Sequence, residues 1–294
     1  ACRTVNTVGQ NLKDEIVRNR RETEVTITGG GSAYAAESNA DGSPPKIIGK
    51  CRISRFLGAG SMGEVYMAHH MTLDIPVALK VLLPKYTGLS DFAERFIREA
   101  RTAAKMNHQN VVRVYDCGSE KGTLYIIMEY VDGGTVADML RIGGGPLKPD
   151  IALKIGTAVA AALVEAEKFG IIHRDIKPSN IMRTADGIFK LADLGLAKQI
   201  IGHEGKDQSL TMTAVSMGTP LYMPPEQALD AKNCDIRADI YALGITLYQL
   251  LSGRPPFESE DRLDLLRLHA GEIAEPLKRI NPDLPDGLCA VVHK

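Results

Sequence analysis

Between residues 47 and 131 apolar positions recur at strand spacing. IIGKCRISRFLG and GEVYMAHH flank a glycine-dense turn, PVALKVLL reads as a buried strand, and VVRVYDCG and TLYIIMEYV are two more. One segment departs from this pattern. In DFAERFIREARTAAKM (91–106), Phe92, Phe96, Ala100 and Ala103 recur at three- and four-residue spacing, which predicts a helix. From 150 onward helical periodicity dominates, in IALKIGTAVAAALVEAEKFG, DIYALGITLYQLLSG and DRLDLLRLHAG. A strand-rich lobe (47–131) followed by a helical lobe (132–294) predicts an α+β fold of two packed units with a cleft between them. Residues 1–46 fit neither lobe: they hold one aromatic, Tyr34, a GGGS run and the turn-rich ESNADGSPPK. Val5, Val8, Leu12 and Ile16 allow a short helix there, but the segment reads as a flexible arm or linker.

Composition narrows the function classes. Of 294 residues, 44% are hydrophobic and 24% charged, as in an ordinary globular protein. With 35 basic against 36 acidic residues the net charge is −1, so neither nucleic acid nor an anionic membrane is the expected partner. Cys2, Cys51, Cys117, Cys234 and Cys289 form no CxxC pair, which argues against a zinc site or disulfide framework and for a reducing compartment. His69, His70, His203 and His269 show no metal spacing and read as surface residues. No apolar run approaches the roughly 18–20 residues of a membrane span. The chain begins at Ala1, not Met, and reads as a fragment of a longer protein.

Candidate chemistry lies in four places. GAGSMGEV (58–65) sits between two strands, where Gly58, Gly60 and Gly63 would let a hairpin tip close over phosphates; alone, a plain hairpin turn explains it better. Lys80 ends VALK inside a buried strand and needs an anion, either a phosphate or a carboxylate such as Glu99 on the following helix. The bland accounts are a snorkelling lysine and a solvated helix face. IIHRDIKPSNIM (171–182) interrupts an apolar strand with His173, Arg174, Asp175, Lys177 and Asn180, a density of polar groups that packing does not require. Asp175 is placed to accept a hydroxyl proton, and Asn180 to offer its amide oxygen to a divalent cation. KLADLGLAK (190–198) places Asp193 in an apolar run; a turn acid, an N-cap or a salt bridge would each explain it alone.

Taken together, in this order, these segments resemble the eukaryotic-type protein kinase family, serine/threonine branch, and most closely its bacterial members through HRDIKPSNIM and MPPEQA. The resemblance runs from about Ile53 to the end. It implies a bilobal kinase fold with a small β-rich N-lobe carrying one main helix and a larger helical C-lobe. It implies ATP as cofactor with Mg²⁺, Mn²⁺ being a substitute, and transfer of the γ-phosphoryl group to Ser/Thr hydroxyls of proteins. Gly58, Gly60, Ser61 and Gly63 would cover the phosphates, and Leu57 and Val65 would pack on the adenine, sandwiched by Ala78 and Met182. Met128 would be the gatekeeper, and Glu129 to Val131 the hinge. Lys80 would hold the phosphates and pair with Glu99, Asp175 would act as base with Lys177 beside it, and Asn180 and Asp193 would carry the metal. Asp239 would anchor the catalytic loop.

The departures are mild. DFG is DLG, VAIK is VALK, and APE is PPE with Glu226 retained. Thr135 stands where an acid often contacts the ribose. No catalytic position is lost, which disfavours a nucleotide-binding pseudokinase scaffold; Lys177 and GTPLYMPPEQ disfavour a small-molecule phosphotransferase. The family partner of Glu226 is an arginine in a late helix that is not in sight, so the C-lobe reads as truncated and Glu226 as a partly buried, unpaired acid. Regulation is expected in TMTAVSMGTP. Thr211 and Thr213 would be autophosphorylated, in trans within a homodimer, with Arg174 receiving the phosphate and Thr219 marking the serine/threonine branch. The expected location is the cytoplasm, either alone or as the cytosolic part of a membrane-anchored protein.

Overall fold

Strands β1 (Ile47–Ile48) and β2 (Cys51–Ala59) meet at a two-residue turn where Gly49 takes φ +57°, the left-handed region that favours glycine. A computed structural model describes residues 47–60, 63–84, 90–193, 220–230 and 233–294. Beyond β2 follow β3 (Gly63–His70) and β4 (Ile75–Leu82), then helix α1 (Ser90–Ala103), then β5 (Val114–Glu120) and β6 (Thr123–Glu129). The sheet order is β1-β2-β3-β4-β6-β5, every neighbouring pair antiparallel. The apolar run of β4 is explained by its central place: Val77, Leu79, Val81 and Leu82 are fully buried. On α1, Phe96, Ala100 and Ala103 are buried on the predicted face.

The second lobe is built from helices. Helix α2 (Val136–Gly143) starts with a capping box between Thr135 and Asp138 and stops at Gly144, φ +64°. This helix has no counterpart in the expectation from sequence, and it gives Thr135 a capping role. Helix α3 (Pro149–Lys168) opens with proline at its first position and buries Ala152, Ile155, Val159, Ala162, Leu163 and Ala166. Strands β7 (Ile181–Arg183) and β8 (Phe189–Leu191) form a separate hairpin. Helices α4 (Pro225–Leu229), α5 (Ile236–Ser252), α6 (Arg262–Gly271), α7 (Leu277–Ile280) and α8 (Asp286–Val292) follow. Helices α3 and α5 approach closely at Gly156, where a Cβ would lie 3.1 Å from Leu247. Among the described residues no helix is long and apolar enough to cross a membrane.

One hydrophobic core runs through both lobes, from Leu82, Phe96 and Leu124 to Ile155, Ile176 and Leu251. It holds the strand-rich and helical parts of residues 47–294 in a single unit.

Three expectations are corrected. Residues 171–177 are irregular and not a strand, because their backbone groups bond to side chains of other elements. Two histidines expected at the surface are buried: His70, whose Nδ1 accepts from Leu73 N–H, and His269, packed against Phe257 and bonded to the Tyr241 hydroxyl at 2.7 Å. Burial pushes the His269 pKa down, opposed by the Leu221 carbonyl. Glu226 is exposed and carries no burial cost. The cysteines behave as expected of packing residues: among those described, Cys51, Cys234 and Cys289 are buried and all four are free.

Candidate active site

The site grows from one buried carboxylate. Asp239 sits in the first turn of α5 with no exposure, and its two oxygens accept the backbone N–H groups of His173 and Arg174, each at 2.7 Å. Burial pushes its pKa up, while His173 and the two N–H bonds oppose that shift. A carboxylate accepting two bonds in the interior fixes the loop that begins there. The next link is His173, fully buried, whose Nδ1 accepts from Asp175 N–H and whose Nε2 contacts the Ala192 carbonyl at 2.8 Å. These bonds place the ring hydrogen on Nε2. The same imidazole thus ties the loop carrying Asp175 to the residue before Asp193. Arg174 takes φ +61° and Asp193 φ +57°, both rare for residues with a Cβ. Such conformations persist where surrounding bonds fix them.

Around Asp175 the polar groups converge. Lys177 Nζ lies 3.0 Å from Asp175 Oδ2, and Asn180 Nδ2 donates to the same oxygen at 2.9 Å and to the Asp175 carbonyl at 2.8 Å. Asn180 is buried, and since these bonds use its nitrogen, Oδ1 is the atom it has for a cation. Lys80 reaches in from the strand-rich lobe and meets Asp193 at 2.5 Å. Burial raises the Asp193 pKa, but the Lys80 ammonium beside it more than offsets this and holds the carboxyl below its usual range.

The expected Lys80–Glu99 pair is absent. Lys80 takes Asp193, and Glu99 contacts its exposed neighbour Arg98 at 3.2 Å. A largely buried ammonium needs one close carboxylate, and here Asp193 supplies it.

The glycine-rich turn divides by cause. A Cβ on Gly63 would lie 2.2 Å from the Val81 carbonyl, so this glycine is required by the approach of β3 to β4. Among the described residues nothing lies within 4 Å of a Cβ added at Gly58, and at Gly60 only the Gly63 carbonyl does, at 3.9 Å. Neither has positive φ. The described neighbours give no reason for glycine at these two positions; the phosphate-covering role that the resemblance implies would give one. Replacing Gly63 by Ala should therefore cost about 1–3 kcal/mol in a denaturant melt through forced separation of the strands. Gly58→Ala and Gly60→Ala should leave the melt within about 0.5 kcal/mol and weaken nucleotide binding instead.

Leu57, Val65 and Met182 are partly exposed, Ala78 and Val131 buried. Val65 pairs with Lys80 and Ala78 with Met128 across the sheet, while Met182 lies on the separate β7–β8 hairpin. Ser61, Thr211, Thr213 and Thr219 lie outside the described residues. Among the described residues no group of three His, Cys, Asp or Glu side chains forms a metal cage.

Residues 51–285 match the protein kinase domain family. The chain belongs to that family. The serine/threonine-protein kinase PrkC of Bacillus subtilis is 37% identical over 249 residues, covering 85% of this chain and 37% of PrkC. Serine/threonine-protein kinase PknB of Mycobacterium leprae is 38% identical over 255 residues, covering 85% of this chain and 40% of PknB. The chain thus spans about two-fifths of the length of these curated relatives. The crystal structure of the Mycobacterium tuberculosis PknI kinase domain superposes with a TM-score of 0.63 at 32% identity, over 84% of this chain and 89% of that one. The kinase fold anticipated from the motifs is the fold of this domain.

Several residues that shape the site are inconspicuous in the sequence. Asp132 accepts from Ala185 N–H at 2.9 Å, and Gly133 lies so near the Arg183 carbonyl that a Cβ would be 2.2 Å away. Gln227 donates to the Arg174 carbonyl at 3.1 Å. The signal for Gly133 was the DGG run itself; the other two are ordinary polar residues whose roles arise from distant partners.

Proposed function

We propose that this domain is an ATP-dependent protein serine/threonine kinase working with Mg²⁺, for which Mn²⁺ substitutes. The carrying observation is the convergence of Asp175, Lys177, Asn180, Lys80 and Asp193 from two lobes onto one cluster. When bound, ATP supplies the transferable phosphoryl group and the divalent ion neutralises its charge. The chain's residues do the rest. Asp175 accepts the proton of a Ser or Thr hydroxyl as its oxygen bonds to phosphorus, and the ADP oxygen leaves with the electron pair of the broken bond. Lys177, already on Asp175, offsets charge beside the reacting oxygen. Asn180 and Asp193 would hold the metal, Lys80 would hold the phosphates, and Glu99 is a candidate second partner for Lys80. Gly58, Gly60 and Ser61 would lie over the phosphates. The adenine would pack between Leu57, Val65 and Ala78 above and Met182 below, its edge read by the backbone of Glu129 to Val131 beside Met128.

Regulation by phosphate on Thr211 or Thr213 belongs to the same reading. Among the described residues no acceptor meets the buried Nε of Arg174, which supports a role for that guanidinium in receiving an anion. Transfer between two copies of the domain, a cytoplasmic setting and an arm formed by residues 1–46 complete the proposal.

The test is incubation with ATP and Mg²⁺, with and without a protein acceptor, followed by phosphosite mass spectrometry. Phosphate on Ser or Thr residues, formed with equimolar ADP and suppressed by excess EDTA, is the expected result. Nucleotide binding with no phosphate transferred to any protein would replace this reading with that of a nucleotide-binding scaffold.

A further inference from the structure

Lys190 lies on β8, three residues before Asp193, and only 13% of its side chain is exposed. Its ammonium is 3.0 Å from each carboxylate oxygen of Glu129, itself 23% exposed, at the end of β6. Glu129 is bonded on a second side: its N–H donates to the Arg113 carbonyl at 2.8 Å, and its Oε2 accepts from Arg113 N–H at 3.2 Å. The segment holding Arg113 is in turn joined to β8. Val112 N–H donates to the Leu191 carbonyl, Leu191 N–H to the Asn110 carbonyl, and the Asn110 side chain to the Phe189 carbonyl, at 2.8–2.9 Å. Lys190 closes this ring by bonding Glu129 directly. In the β7–β8 hairpin Lys190 stands opposite Met182, so both side chains leave on the same face.

Packing alone gives no reason for this pair. An apolar side chain of similar length at 190 would fill the space without the desolvation cost of two charges. What the pair adds is a fixed distance between two parts of the site that come from different lobes.

We propose that the Lys190–Glu129 ion pair is a positioning element of the nucleotide site. It sets the end of β6, whose backbone is the proposed reader of the adenine edge, against the strand that delivers Asp193 to the phosphates. The proposal rests on the nucleotide reading above. Glu129 thereby acts through its side chain as well as its backbone, and Lys190 touches neither nucleotide nor acceptor.

The test uses the full chain and an ATP analogue with a fluorescent ribose label, in Mg²⁺, with binding followed by anisotropy below the melting temperature of each variant. Lys190→Met should weaken binding roughly tenfold, the factor expected for losing one charge-assisted contact. KM for ATP should rise in parallel, while KM for the protein acceptor stays put. Lys190→Arg should restore most of the affinity, and the exchanged pair Lys190→Glu with Glu129→Lys should bind better than either single change. Wild-type affinity in Lys190→Met would overturn the proposal. So would a gain in kcat, which would make the pair a restraint on the lobes, or an equal loss in the Arg and Met variants, which would make it a matter of packing. Failure of the wild-type chain to bind the analogue would overturn the nucleotide reading together with this inference.

Discussion

Asp175→Asn should lower the rate of phosphoryl transfer by about 10²–10⁴-fold, the range for loss of a positioned general base. The exchange keeps the size of the side chain and removes its ability to accept a proton. Lys177 and Asn180, which now contact Oδ2 at 3.0 and 2.9 Å, would then face an amide with one acceptor oxygen. Because the proposed nucleotide contacts come from other residues, the fluorescent analogue should bind within a few-fold of wild type. Single-turnover phosphate transfer to a protein acceptor, measured beside that binding, separates the two effects. A variant retaining a tenth or more of the wild-type rate would remove Asp175 from the role of base. A variant that neither binds nucleotide nor melts cooperatively would show that the substitution had acted on the fold.

The second large effect falls on stability. Asp239→Ala would leave the N–H groups of His173 and Arg174 without their acceptor inside the protein. Each orphaned buried donor costs about 1–3 kcal/mol, so the pair should cost about 3–5 kcal/mol. For a domain of this size that lowers the melting temperature by roughly 10 °C. Asp239→Asn keeps one acceptor oxygen and should lose about half as much. Activity should fall further than stability alone explains, because His173 links this anchor to both Asp175 and the chain before Asp193. Thermal melts and transfer rates at a temperature where both variants are folded would check this. An unchanged melt for Asp239→Ala would mean that water or another side chain replaces the carboxylate.

Comparison of the sequence with the fold separates two kinds of information. Strand and helix existence was legible because period-two runs such as GEVYMAHH and period-3.6 runs such as Phe96–Ala100–Ala103 record which face meets the core. The proposed site stood out for a different reason: His173, Arg174, Asp175, Lys177 and Asn180 crowd polar groups into one short apolar stretch, and the fold gives two of them, His173 and Asn180, buried bonding partners in the loop itself. Helix α2 escaped notice because its eight residues end in a glycine run and its start signal, Thr135 with Asp138, is not followed by a long apolar stripe. His70 and His269 read as surface residues because a histidine's spacing says nothing about the tyrosine, phenylalanine or backbone groups that distant elements bring to it.

By itself the sequence determined the family and the order of the strand-rich and helical parts, and it singled out the residues proposed for phosphoryl transfer, since these depend on local spacing and on side-chain chemistry. The tertiary structure alone decided who partners whom. Lys80 is joined to Asp193 and not to Glu99, Gly63 is held by a carbonyl of the neighbouring strand while Gly58 and Gly60 are not, and Lys190 bridges to Glu129. Each of these contacts joins residues far apart in the chain, from Gly63 and Val81 to Lys80 and Asp193. Its energy depends on a distance of a few ångströms and on how much water is excluded, and neither quantity is written in the order of the residues.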